Sequence, residues 1–80
     1  MHYDELLGIA VSAMSSALSA RKVDETLLRR SILICRIQGR DRVFQRIVPG
    51  ETPADALVIC SVLVDSVTGE HGPVTWPQID

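Results

Sequence analysis

Bulky and reactive side chains are scarce in this sequence of 80 residues, and each shortage excludes a class of protein. It has only three aromatic residues, Tyr3, Phe44 and Trp76, so a folded core must be built mainly from aliphatic side chains. Two cysteines, Cys35 and Cys60, are too few for the disulfide framework of a small secreted domain. Both lie within apolar runs, which favours buried free thiols; a disulfide between them is the alternative.

Catalytic and metal-binding motifs are also missing. The two histidines, His2 and His71, do not combine with the cysteines into the ligand spacing of a zinc site. The five glycines never form a phosphate-binding loop, and no serine is set in the local motif of an activated nucleophile. The sequence therefore predicts a non-enzymatic protein with no catalytic residues, no metal and no cofactor.

Long apolar segments are absent as well. The longest run, 56–64, is interrupted by Ser61 and is far shorter than the roughly 20 residues that span a bilayer. Asp4 and Glu5 stand where a signal peptide carries basic residues, so a cytoplasmic protein without membrane contact is predicted. A chain of 80 residues, 46% of them hydrophobic, predicts one domain over 1–80 with a thin stability margin. Oligomerisation, and a homodimer in particular, is the expected remedy.

Charge is segregated along the chain. Residues 29–46 hold six arginines and one acid, Asp41, which gives a net charge of +5. From Ile47 to Asp80 there is no lysine or arginine, and five acids give −5. Carboxylates without neutralising bases can imitate phosphates and bind a basic protein groove. The predicted partner-binding residues are Glu51, Asp55, Asp65 and Glu70.

The arginine-rich segment is the alternative site. Arginine binds phosphate through paired hydrogen bonds, so a small nucleic-acid-binding regulator, or a subunit interface, is the second interpretation. The acidic character of the whole chain, with a pI of about 5.5, argues against attraction to nucleic acid. The residues concerned are Arg29, Arg30, Arg36, Arg40, Arg42 and Arg46.

Two segments are predicted as amphipathic helices. Over 4–20 the apolar residues recur with a period of 3.6, and the opposite face carries serines. Over 53–68, Thr52 and Pro53 resemble a helix start and Gly69 a helix end. Five β-branched residues in this second segment favour a strand as the alternative.

The middle of the chain, 31–48, predicts an antiparallel hairpin with its loop at 38–41, although the apolar spacing also admits helices. Residues 32–35 do not alternate, so as a strand this run is apolar on both faces. It then needs cover on both sides, for example helices on one and a second protomer on the other. The predicted fold is α+β, two helices packed on a small hairpin; an all-α helical bundle is the alternative.

Two stretches carry a resemblance: MHYDELLGIAVSAMSSALSARKVDE at the start, and RIVPGETPADALVIC from Arg46 onwards. With its overall length, the chain resembles the phage-encoded anti-CRISPR proteins, and among them the small inhibitors of type I-C CRISPR systems. The resemblance implies a non-catalytic inhibitor in the bacterial host cytoplasm, for which the acidic residues named above would act as a DNA mimic. It would bind protein subunits of the CRISPR surveillance complex, block capture of target DNA and make no direct contact with nucleic acid. These proteins share no motif, so it assigns no residue, and the central arginines would be repelled by a basic groove.

Overall fold

A computed structural model describes residues 1–77 of the protein, except the side chain of Pro53. The acid at position 80 lies outside the described residues. The chain forms a long helix, a short helix and three strands, with a turn of 3-10 helix before the last strand. These elements are α1 (Tyr3–Ala20), α2 (Glu25–Arg30), β1 (Ile32–Gln38), β2 (Asp41–Val48), the 3-10 turn (Pro53–Asp55) and β3 (Leu57–Asp65). The α+β class is confirmed, and the all-α alternative is wrong.

The long helix α1 confirms the helix expected over 4–20. Leu6, Ala10 and Met14 recur every fourth residue and are buried, so one stripe of the helix faces the core. Asp4 and Glu5 lie in the first turn, where negative charge is favourable beside the unpaired N–H groups. The sequence periodicity therefore identified both the helix and its buried side.

The predicted hairpin is also confirmed. β1 and β2 pair antiparallel from Ile32 opposite Ile47 to Gln38 opposite Asp41. Two residues, Gly39 and Arg40, make the loop, with φ +61° at Gly39. A glycine in the first position of a two-residue loop supplies the positive φ that lets the turn follow the twist of the strands.

The helix predicted over 53–68 is wrong. The capping residues start only the 3-10 turn, in which the Thr52 hydroxyl donates to Asp55 Oδ2 at 2.9 Å. From Leu57 the chain becomes β3 and pairs antiparallel with β2. The β-branched residues fit this strand, and the backbone bonds to β2 outweigh a helix start that only its caps favoured. The fold's second helix is instead α2, where Asp24 accepts a hydrogen bond from the Thr26 N–H at 2.8 Å.

A β-bulge in β3 explains why its sequence does not alternate. Arg46 pairs with Cys60 and Ile47 with Val58, so Ile59 is an extra residue without a partner on β2. The insertion lets Ile59 and Cys60, which are neighbours in sequence, both be buried. An apolar run that reads like a helix is thus accommodated in a strand.

The core lies on one side of the three-stranded sheet, whose order is β1-β2-β3. α1 packs across β3 and β2, and α2 packs against β2. The residues after β3 return beside it through bridges from His71 to Val64 and from Thr75 to Ser61. We call the covered side the helix face; its fully buried residues on the strands are Phe44, Ile59, Cys60, Val62 and Val64.

We expect the substitution Gly39→Ala to destabilise the hairpin. A Cβ at this position would meet no atom within 4 Å, so the cost arises from the positive φ alone. It should be about 1 kcal/mol, which lowers Tm by roughly 5 °C in a domain of this size. Thermal unfolding followed by circular dichroism measures it.

Gly8→Ala is the matched control, because a Cβ there also meets nothing within 4 Å but the residue lies in α1. It should stabilise the protein by roughly 0.5–1 kcal/mol. A Gly39→Ala variant as stable as the parent would contradict the turn geometry.

Candidate interaction surface

The side of the sheet opposite the helices carries apolar side chains that no element of residues 1–77 covers. Strand register places these residues across from one another and out of step with the buried ones, so they share the uncovered side. We call this surface the open sheet face. It consists of Ile32, Ile34, Arg36, Val43, Gln45, Ile47, Val58, Ser61 and Leu63.

The exposure of the open sheet face is substantial for apolar side chains. Ile32 is 49% exposed and Leu63 is 45% exposed, at opposite corners of the face. None of the face's apolar residues belongs to the buried core. An antiparallel sheet that faces water on its second side usually alternates apolar and polar residues, and this sheet does not. A contiguous uncovered apolar patch is typical of a surface that binds another macromolecule.

Gln45 and Ser61 form the polar centre of the open sheet face. The Gln45 amide donates to the Ser61 hydroxyl at 3.0 Å. The side-chain amide oxygen of Gln45, Oε1, is buried and has no hydrogen-bond partner among the described residues. A shallow depression of about 100 Å³ lies next to this pair, between β2, β3 and the returning segment at Pro73 and Thr75.

The four predicted acidic residues do not form one cluster. Glu51 and Asp55 lie before β3, whereas Asp65 and Glu70 lie at and beyond its end. Eight residue steps at about 3.3 Å each separate the two ends of β3 by roughly 26 Å. Glu51 nevertheless borders the open sheet face, since it lines a groove of about 260 Å³ with Ile32 and Ile47.

Asp65 is engaged within the protein. It lies 3.0 Å from Arg40 Nε and accepts hydrogen bonds from the backbone N–H groups of Val67 and Thr68 at 2.8 and 3.0 Å. The Thr68 and Val67 N–H groups, helped by Arg40, lower the pKa of this carboxyl from 3.8 to about 2. The hydroxyl of Ser66 and its N–H donate to the Arg40 carbonyl, which ties the hairpin loop to this turn.

The predicted arginine residues are also dispersed. Arg29 and Arg30 are exposed on α2, and Arg29 forms an ion pair with Glu25 at 3.1 Å. Arg36 stands on the open side of β1, Arg40 is bound to Asp65, and Arg42 donates to the backbone of Gly39 and Asp41. Arg46 lies on the helix face, where Nη1 donates to the Ser31 hydroxyl at 3.0 Å. The fold therefore does not assemble a single basic patch from these six residues.

The cysteines and His71 show no arrangement for nucleophilic chemistry. Both cysteines are free thiols, so the disulfide alternative is wrong, and Cys60 is buried. Burial raises the pKa of the Cys60 thiol, although Arg46 opposes the shift, and a protonated thiol is a weak nucleophile. The His71 Nδ1 lies 2.9 Å from the carbonyl oxygen of the adjacent Gly72. Residues 1–77 contain no group of three or more side chains placed to hold a metal ion.

A second concave surface lies between α1 and the segment after β3. Its volume is about 620 Å³, and the small-residue side of α1 at Gly8, Ser12 and Ser16 forms one wall. His71 and Val74 lie on the opposite wall.

None of the helices within residues 1–77 has the length and apolar character needed to cross a membrane.

Comparisons with protein-family models, curated proteins and solved structures give no match. The surfaces of the molecule and the sequence resemblance are the remaining indications of its function. Sequence reasoning anticipated one part of the open sheet face, because the run 32–35 is apolar on both faces of a strand. It does not identify Val58 and Leu63, which lie in the segment predicted as a helix. Their alternation with buried neighbours is hidden by the bulge at Ile59.

The depressed pKa of Asp65 predicts a pH-dependent contribution to stability. The unfolded chain takes up this proton before the folded protein does, so the carboxylate stabilises the fold above about pH 4 and loses this effect as the pH falls to about 2. The variant Asp65→Asn should melt at a lower temperature than the parent at pH 7. The difference should shrink steadily between pH 4 and about pH 2.

Glu70→Gln is the control, since it removes one carboxylate from an exposed residue of the same turn. Thermal melts across the pH range provide the comparison. A gap between the Asp65→Asn variant and the parent that stays constant down to pH 2 would show that the Asp65 hydrogen bonds are not formed.

Proposed function

We propose that this protein acts by binding another protein rather than by catalysis, and that it inhibits a type I-C CRISPR surveillance complex. In this proposal it binds a protein subunit of the complex in the bacterial host cytoplasm and prevents capture of target DNA. The sequence resemblance supports the identity of the partner. The uncovered apolar side of the sheet is the observation that supports a binding role.

The open sheet face provides the affinity in this proposal. Burying apolar surface contributes roughly 25 cal/mol per Å² before the costs of association, and the centre of a protein interface is usually its most apolar part. Val43, Ile47 and Val58 form that centre around Gln45 and Ser61. The unsatisfied carbonyl oxygen of Gln45 supplies an acceptor that a donor of the partner could satisfy after a small rearrangement.

Acidic residues lie at both ends of this apolar face. Glu51 borders it beside Ile47, and Asp41 lies at the other end, where the carboxylate of the neighbouring Asp65 is already paired with Arg40. Such a rim favours a partner with basic residues, as on the DNA path of a surveillance complex, and it increases the association rate more than the final affinity. Charge thus guides the encounter in this proposal, and the acids do not replace a DNA strand residue by residue.

We expect Leu63→Glu to abolish capture of the surveillance complex. The substitution places a charge at a corner of the open sheet face, and a buried unpaired carboxylate is costly. In a pull-down with the tagged protein and purified type I-C complex, binding should fall by at least about tenfold, equivalent to ~1.4 kcal/mol. Target DNA added beforehand should compete with the parent protein.

Val67→Glu is the matched control for this experiment. Val67 is 63% exposed, but it lies in the turn after β3 and outside the strands that form the open sheet face. It should bind like the parent. If both variants bound the complex with unchanged affinity, the open sheet face would not be the binding surface; if the parent did not bind at all, the inhibitor proposal would be wrong.

Reversing charge at the rim should have a smaller, salt-dependent effect. Glu51→Lys should slow association several-fold at low ionic strength, with the difference disappearing in high salt, because exposed charges are then screened. Glu70→Lys changes charge beyond the end of β3 and should slow association less. Binding kinetics at several salt concentrations test this ordering. Equal effects of the two variants would show that only net charge matters.

A further inference from the structure

The outer edge of β1 is unpaired, and we propose that it pairs antiparallel with the same edge of a second copy, with Ile34 on the twofold axis. β1 is the edge strand of the sheet, bonded to β2 alone among the described residues. Ile37, near its end, is 75% exposed, and Ile32, at its start, is 49% exposed. β1 therefore has exposed apolar side chains at both ends and, within residues 1–77, no partner strand along its outer edge.

The backbone of β1 is suited to this pairing. In a two-residue hairpin loop the flanking residues, here Gln38 and Asp41, exchange backbone hydrogen bonds. The backbone N–H and C=O groups of every second residue before Gln38, namely Arg36, Ile34 and Ile32, therefore also point towards β2. The N–H and C=O groups of Leu33, Cys35 and Ile37 then point outward. With Ile34 on the axis, Leu33 lies opposite Cys35 of the second copy, and both sets of outward groups form bonds.

The side chains of β1 are self-complementary in this register. Ile34 lies opposite Ile34 of the second copy, and β-branched pairs are favourable in such positions. Ile32 lies opposite Arg36 of the second copy, whose methylene stem can cover the exposed isoleucine. The two Arg36 side chains are then four residue steps out of register, about 13 Å apart, so the one charge of the strand does not meet its copy.

The ends of β1 differ in cover, which also favours an antiparallel second copy. α2 ends at Arg30, one residue before β1, whereas no helix within residues 1–77 covers Ile37. Antiparallel pairing brings Ile37 of each copy opposite Ser31 of the other, beside the end of its α2. Arg30, exposed there, approaches the hairpin end of the other copy, where Asp41 supplies a carboxylate. The charges at the two ends are thus complementary.

A nucleic acid or an unrelated strand fits this edge less well. β1 carries a single charged residue, too few for a phosphate-binding surface. Edge strands are normally protected from pairing by lysine, proline or a bulge, and β1 has none of these. The interface is small, so we expect a concentration-dependent monomer–dimer equilibrium rather than an obligate dimer.

Disulfide trapping tests the register. In the double variant Ile32→Cys/Arg36→Cys, the two introduced cysteines of one chain are about 13 Å apart and cannot bond to each other. Across the proposed axis they are directly opposite, about 4.5 Å between Cα atoms, which a disulfide can bridge. Mild oxidation at high protein concentration should give a covalent dimer whose linked peptides join positions 32 and 36.

The two single variants, Ile32→Cys and Arg36→Cys, are the controls and should remain largely unlinked. Both positions are exposed, so neither the single nor the double substitution should disturb folding, which circular dichroism verifies. Cross-links between other positions, or the same low yield in double and single variants, would overturn the proposed register.

Analytical sedimentation without cross-linking measures the dimerisation of the parent protein and of two further variants. Ile37→Lys should weaken dimerisation at least tenfold, whereas Val67→Lys, at a similarly exposed valine in the turn after β3 and outside β1, should leave it unchanged. A monomer at every concentration would refute the dimer. A dimer that survives Ile37→Lys but is lost in Leu63→Glu would place the interface on the open sheet face instead. Neither result depends on whether a CRISPR complex is bound.

Discussion

The buried stripe of α1 against the sheet is the contact on which the rest of the molecule depends. Leu6, Ala10 and Met14 meet Phe44 and the aliphatic residues of β3, and these form the core of the described chain. A chain of this length has one long helix to contribute, and it covers one side of a three-stranded sheet. The other side remains apolar because its strands carry branched side chains in both directions. The binding proposals follow from this imbalance.

Charged residues have a smaller influence on the surfaces of the molecule than the packing of α1 on the sheet. The segregation of charge along the sequence does not become a segregation of charge in space. Arg40 belongs to the basic segment and Asp65 to the acidic one, yet the two are in contact at 3.0 Å because the hairpin loop meets the turn after β3. An exposed ion pair contributes little to stability, but it cancels charge locally. A count of charges along the chain therefore overstated the field that either segment presents.

Local sequence signals were reliable where local interactions decide the structure. The period of 4–20 predicted α1 because an amphipathic helix needs only its own backbone bonds and one surface to pack on. The loop at Gly39 predicted the β1–β2 hairpin because a positive φ favours glycine. For 57–65, Thr52 and Pro53 predicted a helix start, but the segment pairs with β2 and forms a strand instead. No local feature of the sequence indicates that a partner strand is present. The placement of Glu51 and Glu70 depended on that same strand, so their positions could not be deduced from spacing.

The bulge at Ile59 determines which residues in each half of β3 lie on the helix face. On either side of it the strand presents alternate residues inward, but the two halves are out of phase by one position. A point substitution leaves this phase intact. Loss of Ile59, the extra residue, would restore a regular ladder in which Leu57, Val62 and Val64 keep their sides, whereas loss of a second residue would turn over one half of the strand. β3 can thus lose one residue at the bulge without a change of register, although the buried Ile59 side chain is lost with it, and it can lose no second residue in this way.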